Sequence, residues 1–385
     1  RALHGPPSSP VPLGCAMAEV VPAAGLARWR SGGSGESGRG WSWLVQALTA
    51  ATAVGVSWWA LRPLLARLRR AKQLRIEGLF VYPIKGCRGH SLSRVELTPL
   101  GLQGDRRYMI VSEKGTFITQ RELTEMALIH PDLPTEKGIM LHAALPEAAS
   151  GADAKLPAPL FVPRRGEGSE ATRMVQIWDD TVPGLDQGDV AANWLSGFLG
   201  KAGLRLVLFA DSAHRPTSIA YGVGETAFAD GFPVLLTTQA SVDDTNRRLK
   251  GGVVVGASHF RPNVHVSGCS AWEEDEMPSL AFRGPSPSSP SSPPVARFRL
   301  VKPCSRCTVP TVNPRTAQRE ASGEPLKLLR RFRAAELLRH SARLHKAFYS
   351  RPELAGEAYF GQNVLVEMPS AGVFLSVGDV AEVEW

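Results

Sequence analysis

Cysteine is scarce in this sequence. Five occur among 385 residues, namely Cys15, Cys87, Cys269, Cys304 and Cys307. A chain of this length can build a hydrophobic core without disulfide staples, so we expect reduced thiols in a cytosolic setting. If translation begins at Met17, the first methionine, Cys15 lies outside the native protein.

Signals for nucleic-acid binding are also missing. The formal net charge is +8, but no RNP, zinc-finger or basic-zipper pattern accompanies it, so we expect no nucleic-acid partner. The sequence contains no internal repeat. Its 43% hydrophobic and 21% charged residues are typical of a folded globular protein. Its length allows one large or two ordinary domains with appendages.

Charged residues are absent from 41–61, which begins and ends near pairs of tryptophans. This stretch is long enough to cross a hydrocarbon core of roughly 30 Å as a helix. Tryptophan pairs suit the two membrane interfaces. We therefore predict a transmembrane helix between a leader (1–40) and a basic linker (62–73). An amphipathic or buried helix is the alternative.

The charges that flank this stretch predict its orientation. Three basic residues lie between positions 28 and 39, whereas six lie between 62 and 75. The positive-inside rule then places the carboxyl-terminal side in the cytosol. An arginine-containing leader with few acidic residues is compatible with mitochondrial targeting.

Short strands separated by glycine and proline turns dominate the sequence after Leu74, which predicts a barrel or sandwich. With the helices between them, the predicted fold is mixed α/β, and the strand pattern leaves the barrel and the sandwich open. Predicted strands lie at 74–82, 93–97, 107–111, 116–119, 158–163, 173–178, 204–209, 233–236, 262–266, 295–301, 363–367 and 379–384. Helices are predicted from a cap at Asp189, after the caps Thr237 and Thr238 to about 250, and over 325–346. Loops are predicted at 213–230 and in the Pro/Ser-rich insertion 284–294.

Two thiols, a hydroxyl and a guanidinium lie within four positions at Cys304-Ser305-Arg306-Cys307. A zinc site would need a second pair of ligands, and a thioredoxin-like pair would precede a helix. Arg306 would lower the pKa of the adjacent thiol and favour a thiolate that binds a soft or high-valent metal. One buried and one incidental thiol remains the alternative.

Two motifs near the start of the predicted barrel present cations at strand ends. Lys85 and Gly86 follow a strand that Pro83 interrupts, and a lysine beside exposed backbone N–H groups suits an anion such as phosphate. A solvated turn is the alternative. Strand alternation places Arg106 and Arg107 on opposite faces, so one of them faces inward. That arginine needs an anion, either a ligand or Asp105.

Two later motifs add polar groups to apolar segments. Arg261 and Asn263 share one face of the predicted strand 262–266, which indicates either a polar ligand or a local side-chain network. Gly361 lies before the amides Gln362 and Asn363, where it allows close backbone approach or a tight turn. Together the motifs fit a large phosphorylated cofactor that a single cysteine holds in the mouth of a barrel.

These motifs, in this order, resemble those of the MOSC-domain proteins, and with the anchor they resemble the amidoxime-reducing members. The resemblance covers Leu74 to Trp385. It implies a mixed α/β fold with a β-barrel core. An N-terminal MOSC β-barrel-associated region would cover 74–200, and a MOSC-type barrel domain that contains the insertion 284–294 would cover 201–385. One transmembrane helix would precede both.

The resemblance implies a molybdenum cofactor, in which a phosphate-bearing pterin dithiolene holds oxo-molybdenum. Cys307 matches the metal ligand and would be the catalytic cysteine. Cys304 would serve only in packing. Positions that match the pterin and phosphate contacts are Lys85, Gly86, Arg106, Asp230, Gly231, Arg261, Asn263, Ser305, Arg306 and Asn363.

The implied activity is two-electron reduction of small N-hydroxylated substrates such as amidoximes and hydroxylamines. Electrons would come from NADH through NADH-cytochrome b5 reductase and cytochrome b5, with the basic segment 330–346 as a docking face. The implied location is the mitochondrial outer membrane, with a single-pass anchor and the catalytic domain facing the cytosol. The alternatives are a sulfur-carrier or cofactor-handling MOSC protein without substrate turnover, and a membrane-tethered binding module that holds no metal.

Overall fold

The computed structural model describes residues 72–147, 156–167, 172–283, 295–338, 356–367 and 372–385. The predicted leader, the predicted transmembrane stretch and the insertion 284–294 lie outside these residues. Within them, no helix combines the length and the apolar character needed to cross a membrane.

Nineteen strands and four α-helices are described, with four short 3-10 turns. The strands are β1 (Gln73–Val81), β2 (Ile84–Lys85), β3 (His90–Leu92), β4 (Arg94–Thr98), β5 (Gly101–Leu102), β6 (Tyr108–Val111), β7 (Ile129–Pro131), β8 (Gly138–Ala143), β9 (Leu160–Pro163), β10 (Thr172–Ile177), β11 (Asp180–Asp186), β12 (Arg205–Phe209), β13 (Val234–Thr238), β14 (Val264–Ser267), β15 (Ser279–Phe282), β16 (Ala296–Ser305), β17 (Tyr359–Glu367), β18 (Val373–Ser376) and β19 (Val380–Glu384). The helices are α1 (Asp189–Leu199), α2 (Gln239–Arg248), α3 (Ala257–Phe260) and α4 (Leu326–Phe332).

The predicted β-barrel core is confirmed. Seven strands close in the order β14-β13-β17-β16-β15-β19-β1, and β1 pairs back to β14. The contact between β13 and β14 is parallel, and the other contacts around the barrel are antiparallel. Alternation along β1 buries Leu74 and Ile76 while their neighbours face outward. These side chains join Val266 and Phe298 in one apolar core.

A second sheet of five strands, in the order β10-β11-β12-β6-β2, has a hydrophobic core of its own. Strand β2 joins this sheet by parallel pairing with β6. Helix α1 buries Leu195 and Leu199 in the same core. Two three-stranded sheets, β18-β4-β5 and β7-β8-β9, complete the described strands.

The start of α1 differs from the prediction, whereas the start of α2 agrees with it. Gly188, with φ of 96°, and not Asp189, is the N-cap of α1. Asp189 lies in the first turn, where its carboxylate accepts a hydrogen bond from Arg205 Nη1 at 2.6 Å. The predicted cap of α2 is confirmed, since the Thr238 hydroxyl accepts from the Ser241 backbone N–H at 3.2 Å.

The predicted helix 325–346 is not continuous. Helix α4 ends at Phe332, and Arg333 leaves the helix because its guanidinium binds the buried carboxylate of Asp275 at 2.7 and 3.0 Å. A 3-10 turn then covers Ala335–Leu337. The rest of the predicted helix, from residue 339, lies outside the described residues.

Two predicted strands are also corrected. Residues 116–119 form only isolated bridges, from Phe117 to Val111 and from Thr116 to Gln176. Strand β14 starts at Val264, because Arg261 adopts a left-handed conformation with φ of 56° that closes α3. Arg261 and Asn263 therefore do not share a strand face.

Candidate functional site

A single pocket between the barrel and the five-stranded sheet brings together every residue that the sequence predicted for the site. The five-stranded sheet contributes Lys85, whereas the barrel strands β16 and β17 contribute Ser305 and Asn363. The predicted residues that line the pocket are Lys85, Gly86, Arg106, Asp230, Gly231, Arg261, Asn263, Ser305, Arg306, Cys307 and Asn363. Their roles toward a cofactor stay predictions.

Lys85 is buried at the end of β2, and its ammonium forms an ion pair with the Asp230 carboxylate. Burial lowers the pKa of Lys85, and the carboxylate of Asp230 opposes this effect. Gly86 has a positive φ of 84°, and a Cβ there would lie 2.7 Å from the Met126 methyl group. Its carbonyl accepts from Gln120 Nε2 at 2.6 Å. The motif is therefore fixed in place, and the solvated-turn alternative is wrong for Lys85.

Arg106 lines the pocket, but strand alternation does not place it there, because β6 starts only at Tyr108 and Arg106 has a left-handed φ of 44°. Its Nη1 donates to Asp105 Oδ2 at 2.6 Å and to Asn263 Oδ1 at 2.9 Å. Its Nη2 donates to the carbonyl oxygen of Arg261 at 3.0 Å. The sequence left open whether Arg106 pairs with Asp105 or with a ligand, and whether Asn263 serves a local side-chain network or a ligand. The structure contains both the Asp105 pair and the local network beside the pocket.

The ring of Tyr82 lies against two guanidiniums. Its centroid is 4.4 Å from the Arg106 guanidinium carbon and 4.2 Å from that of Arg261. Tyr82 is 4% exposed, and burial raises the pKa of its hydroxyl. An aromatic face attracts cations, so the ring stabilises two like charges that would otherwise repel each other.

Two pocket residues each have a buried guanidinium nitrogen with no hydrogen-bond partner within the described part of the chain. These nitrogens are Nη2 of Arg261 and Nε of Arg306. Burial lowers the pKa of Arg261. A buried N–H without a partner costs free energy, so both groups are suited to donate to an anionic ligand.

The Cys304-x-x-Cys307 motif begins in β16 and continues into a loop. Arg306 donates from its backbone to Ala358 O at 2.8 Å, and its guanidinium binds the carbonyl of Phe260. Its Nη1 donates to the Cys304 sulfur at 3.0 Å, so the guanidinium contacts Cys304. Cys304 thus has a polar contact and does not serve in packing alone. The Cys307 thiol is exposed to the pocket.

The zinc alternative finds no support where the structure describes the chain, because no group of three metal-ligating side chains occurs there. Gly361 lies within β17, and a Cβ there would be 2.7 Å from the carbonyl oxygen of Leu236. The backbone of Gly361 therefore approaches the neighbouring strand β13 closely, and the tight-turn alternative is wrong.

Several pocket residues were missed from the sequence. They include the cationic Arg121 and the aromatic Trp178 and Phe232. The predicted strand 173–178 ends at Trp178, but this residue occupies the turn between β10 and β11 with φ of 55°. The acidic pair Asp179-Asp180 after it is a turn signal, but no local pattern indicates which pocket such a turn faces.

The residues present fit the molybdenum cofactor. Lys85, Arg106, Arg261 and Arg306 bring more positive charge to the pocket than Asp105 and Asp230 offset. This donor set suits a phosphate-bearing ligand. The exposed Cys307 thiol offers one soft ligand for a metal.

Comparisons with known proteins define the class. The MOSC N-terminal beta barrel domain matches residues 73–202, and the MOSC domain matches 223–382. The chain belongs to the MOSC-domain family.

Within that family the chain is similar to the mitochondrial amidoxime-reducing components. It is 31% identical to component 2 of Rattus norvegicus, over 74% of this chain and 80% of the relative. It is 29% identical to component 1 of Mus musculus, over 86% and 88%. It is also 27% identical to molybdenum cofactor sulfurase 2 of Culex quinquefasciatus, over 70% of this chain but 34% of that protein. A solved structure from Bacillus subtilis aligns at a TM-score of 0.31 and 11% identity, which is too distant to support an argument.

Proposed function

We propose that this chain is a molybdenum-cofactor oxidoreductase that reduces N-hydroxylated compounds such as amidoximes and hydroxylamines. The observation that carries the proposal is the exposed thiol of Cys307 in a pocket where Arg261 and Arg306 each keep a buried N–H free of partners among the described residues. The names of the amidoxime-reducing relatives support the choice of substrate class.

The side chains of the pocket would act on two parts of the cofactor. Cys307 would supply the protein ligand to the metal, while Arg261 and Arg306 would donate to the phosphate. Asp105 and Asn263 would hold Arg106 in place, since both accept from its Nη1. The chemistry that the cofactor supplies when bound is two-electron redox. Overall, an amidoxime consumes two electrons and two protons and yields an amidine and water.

We propose that the electrons come from NADH through NADH-cytochrome b5 reductase and cytochrome b5. The exposed basic residues Lys327, Arg330 and Arg331 of α4 support a docking face for an acidic partner.

The proposed location is the mitochondrial outer membrane, with the described residues on the cytosolic side. The relatives' names support mitochondria, and the uncharged stretch 41–61 with its flanking charges supports a single-pass anchor. Extraction of mitochondrial membranes at alkaline pH tests the anchor. Full-length chain that leaves the membrane with peripheral proteins would contradict it.

Metal analysis of purified protein tests the cofactor directly. We expect about one molybdenum per wild-type chain and almost none in Cys307→Ala, because the substitution removes the protein ligand to the metal. Cys304→Ala is the matched control and should keep its metal. Wild-type protein that contains no molybdenum after expression in a cofactor-producing host would support the binding-module alternative.

Turnover separates the oxidoreductase from a cofactor-handling protein. We expect loaded wild-type protein to reduce benzamidoxime when NADH, cytochrome b5 reductase and cytochrome b5 are supplied. Loaded protein that holds molybdenum but reduces no N-hydroxylated compound would favour the handling role. The similarity to a protein named molybdenum cofactor sulfurase 2 is the observation behind that second candidate.

A further inference from the structure

A tryptophan in an unfavourable backbone conformation stands at the edge of the pocket. Trp178 occupies the turn between β10 and β11 with φ of 55°, a region that bulky residues rarely adopt. Its side chain is 41% exposed although it lines the pocket. Strain of this kind persists only where surrounding contacts impose it, and it is frequent at ligand-binding sites.

The contacts of Trp178 hold its ring in one place. The centroid of the Phe117 ring lies 5.1 Å away at an interplanar angle of 55°. The indole Nε1 donates to Asp230 Oδ1 at 3.2 Å, and Gln176 Nε2 donates to the Trp178 carbonyl at 3.2 Å. A large exposed aromatic surface is thus presented rigidly beside the predicted cofactor contact Asp230.

A cation accompanies this ring. The guanidinium carbon of Arg121 lies 4.6 Å from the Trp178 ring centroid and 5.6 Å from that of Phe117. Arg121 Nε donates to Thr119 Oγ1 at 3.2 Å, and the Arg121 carbonyl accepts from Arg319 Nη2 at 3.2 Å. No carboxylate pairs with Arg121 anywhere in the described ranges, so its terminal N–H groups are available to a ligand.

We propose that Trp178 and Arg121 form a substrate-selecting wall of the pocket, which favours N-hydroxylated compounds that carry a flat conjugated ring with an anionic substituent. The inference rests on the proposed function, since it names the substrate class of that site. The indole offers a face on which such a ring stacks. The guanidinium offers paired donors to a carboxylate at the edge of the ring.

Kinetics of the molybdenum-loaded enzyme separate the contribution of Trp178 from that of Arg121. The three substrates are benzamidoxime, 4-carboxybenzamidoxime and acetamidoxime. We expect Trp178→Ala to raise KM roughly fivefold for the two aromatic substrates, as the loss of a stacking contact predicts, and to leave acetamidoxime unchanged. We expect Arg121→Gln to raise KM about tenfold for the carboxylated substrate alone, because a charge-assisted hydrogen bond is lost. In both variants kcat and molybdenum content should stay near wild type.

A second cation–ring pair supplies matched controls. The guanidinium of Arg94 lies 4.4 Å from the ring of Phe374, and neither residue lines the pocket. Arg94→Gln and Phe374→Ala should therefore leave all three KM values unchanged. The proposal is overturned if Trp178→Ala changes KM equally for the three substrates, because Trp178 would then have a structural role. It is also overturned if Trp178→Ala or Arg121→Gln loses molybdenum, because the altered residue would then contact the cofactor.

Binding of compounds that cannot be reduced tests the wall without turnover. By calorimetry we expect wild-type protein to bind 4-carboxybenzamidine about tenfold more tightly than benzamidine, and Arg121→Gln to abolish that preference. Equal affinities in wild type would overturn the proposal. A failure of the proposed function gives a different result. In that case wild-type protein binds 4-carboxybenzamidine and benzamidine but reduces none of the three substrates.

Discussion

Tyr82 brings two like charges together in the wall of the pocket. Its ring lies 4.4 Å from the guanidinium of Arg106 and 4.2 Å from that of Arg261. Contacts of this kind contribute about 2 kcal/mol when they are desolvated. Tyr82 does not line the pocket, so it acts through the arginines as a positioning residue.

Replacement of the ring should weaken cofactor retention. We expect Tyr82→Leu to lose molybdenum roughly tenfold faster than wild type during dialysis, because one desolvated cation–π contact is worth at least the 1.4 kcal/mol that a tenfold change requires. Tyr82→Phe keeps the ring and should retain the metal as wild type does. A Leu variant that retains metal equally well, with an unchanged circular dichroism spectrum, would contradict this role.

Most residues of the candidate site could be predicted because their motifs are local, whereas Asp230 and Gly231 were indicated only by the family resemblance. Lys85 with Gly86, and Ser305 with Arg306, stand beside strand ends that a proline or a strand-like run marks in the sequence. Their partners could not be predicted in this way. Lys85 pairs with Asp230, which lies 145 positions away, and Arg306 turns to Cys304 instead of Cys307. Pairing depends on distances in space that no local periodicity encodes.

At the scale of elements, a buried acidic pair links α2, the carboxyl-terminal end of α4 and β17. Asp275 binds Arg333 at 2.7 Å and accepts from Gln362 Nε2 at 2.7 Å. Its neighbour Glu274 is fully buried and accepts from Ser241 Oγ at 2.7 Å. This network explains why the helix predicted over 325–346 stops where Arg333 turns inward, since a buried carboxylate requires a partner.

The network should make stability depend on pH. Burial, aided by the charge of Asp275, raises the pKa of Glu274 to about 7 from its ordinary 4.5, while Ser241 and Arg333 oppose the shift. A raised pKa in the folded state stabilises the fold fully below 4.5, and this contribution is lost as pH rises through 7. The loss is on the order of 3 kcal/mol in the free energy of unfolding.

We expect Glu274→Gln to remove most of this dependence, because an amide does not ionise. Chemical unfolding at pH 5 and pH 8 measures the free energy of unfolding at both values. We expect this free energy to fall more between pH 5 and pH 8 in wild type than in Glu274→Gln. Glu276→Gln, at the exposed neighbour, should behave as wild type. The same pH difference in wild type and Glu274→Gln would show that Glu274 is not the titrating group.

At the scale of the whole molecule, the basic surface of α4 is the feature that bears on an electron donor. Lys327, Arg330 and Arg331 are exposed on this helix. Complementary charge accelerates association more than it tightens a complex, and the acceleration falls with ionic strength.

Charge reversal should therefore slow electron delivery. We expect Arg330→Glu with Arg331→Glu to lower the rate of reduction by cytochrome b5 roughly tenfold at low salt and to flatten its salt dependence. Lys114→Glu with Lys137→Glu makes the same change in net charge at exposed positions elsewhere. Stopped-flow measurements in which both pairs slow the reaction equally would indicate a general charge effect, and no effect of the α4 pair would remove this docking face.

The sequence by itself determined most of the strands, the capping of α2 and many residue types of the pocket, while closure of the strands into a barrel was seen only in the structure. Alternating burial, turn residues and cap hydroxyls act over a few positions, so a linear pattern contains them. Only the tertiary structure decided that Trp178 and Arg121 stand at the pocket, that Tyr82 lies between two arginines and that Arg333 leaves its helix. Those outcomes depend on which charged and aromatic side chains come into contact when distant segments pack. A buried charged side chain needs a partner, so its conformation depends on the partners that packing brings near it.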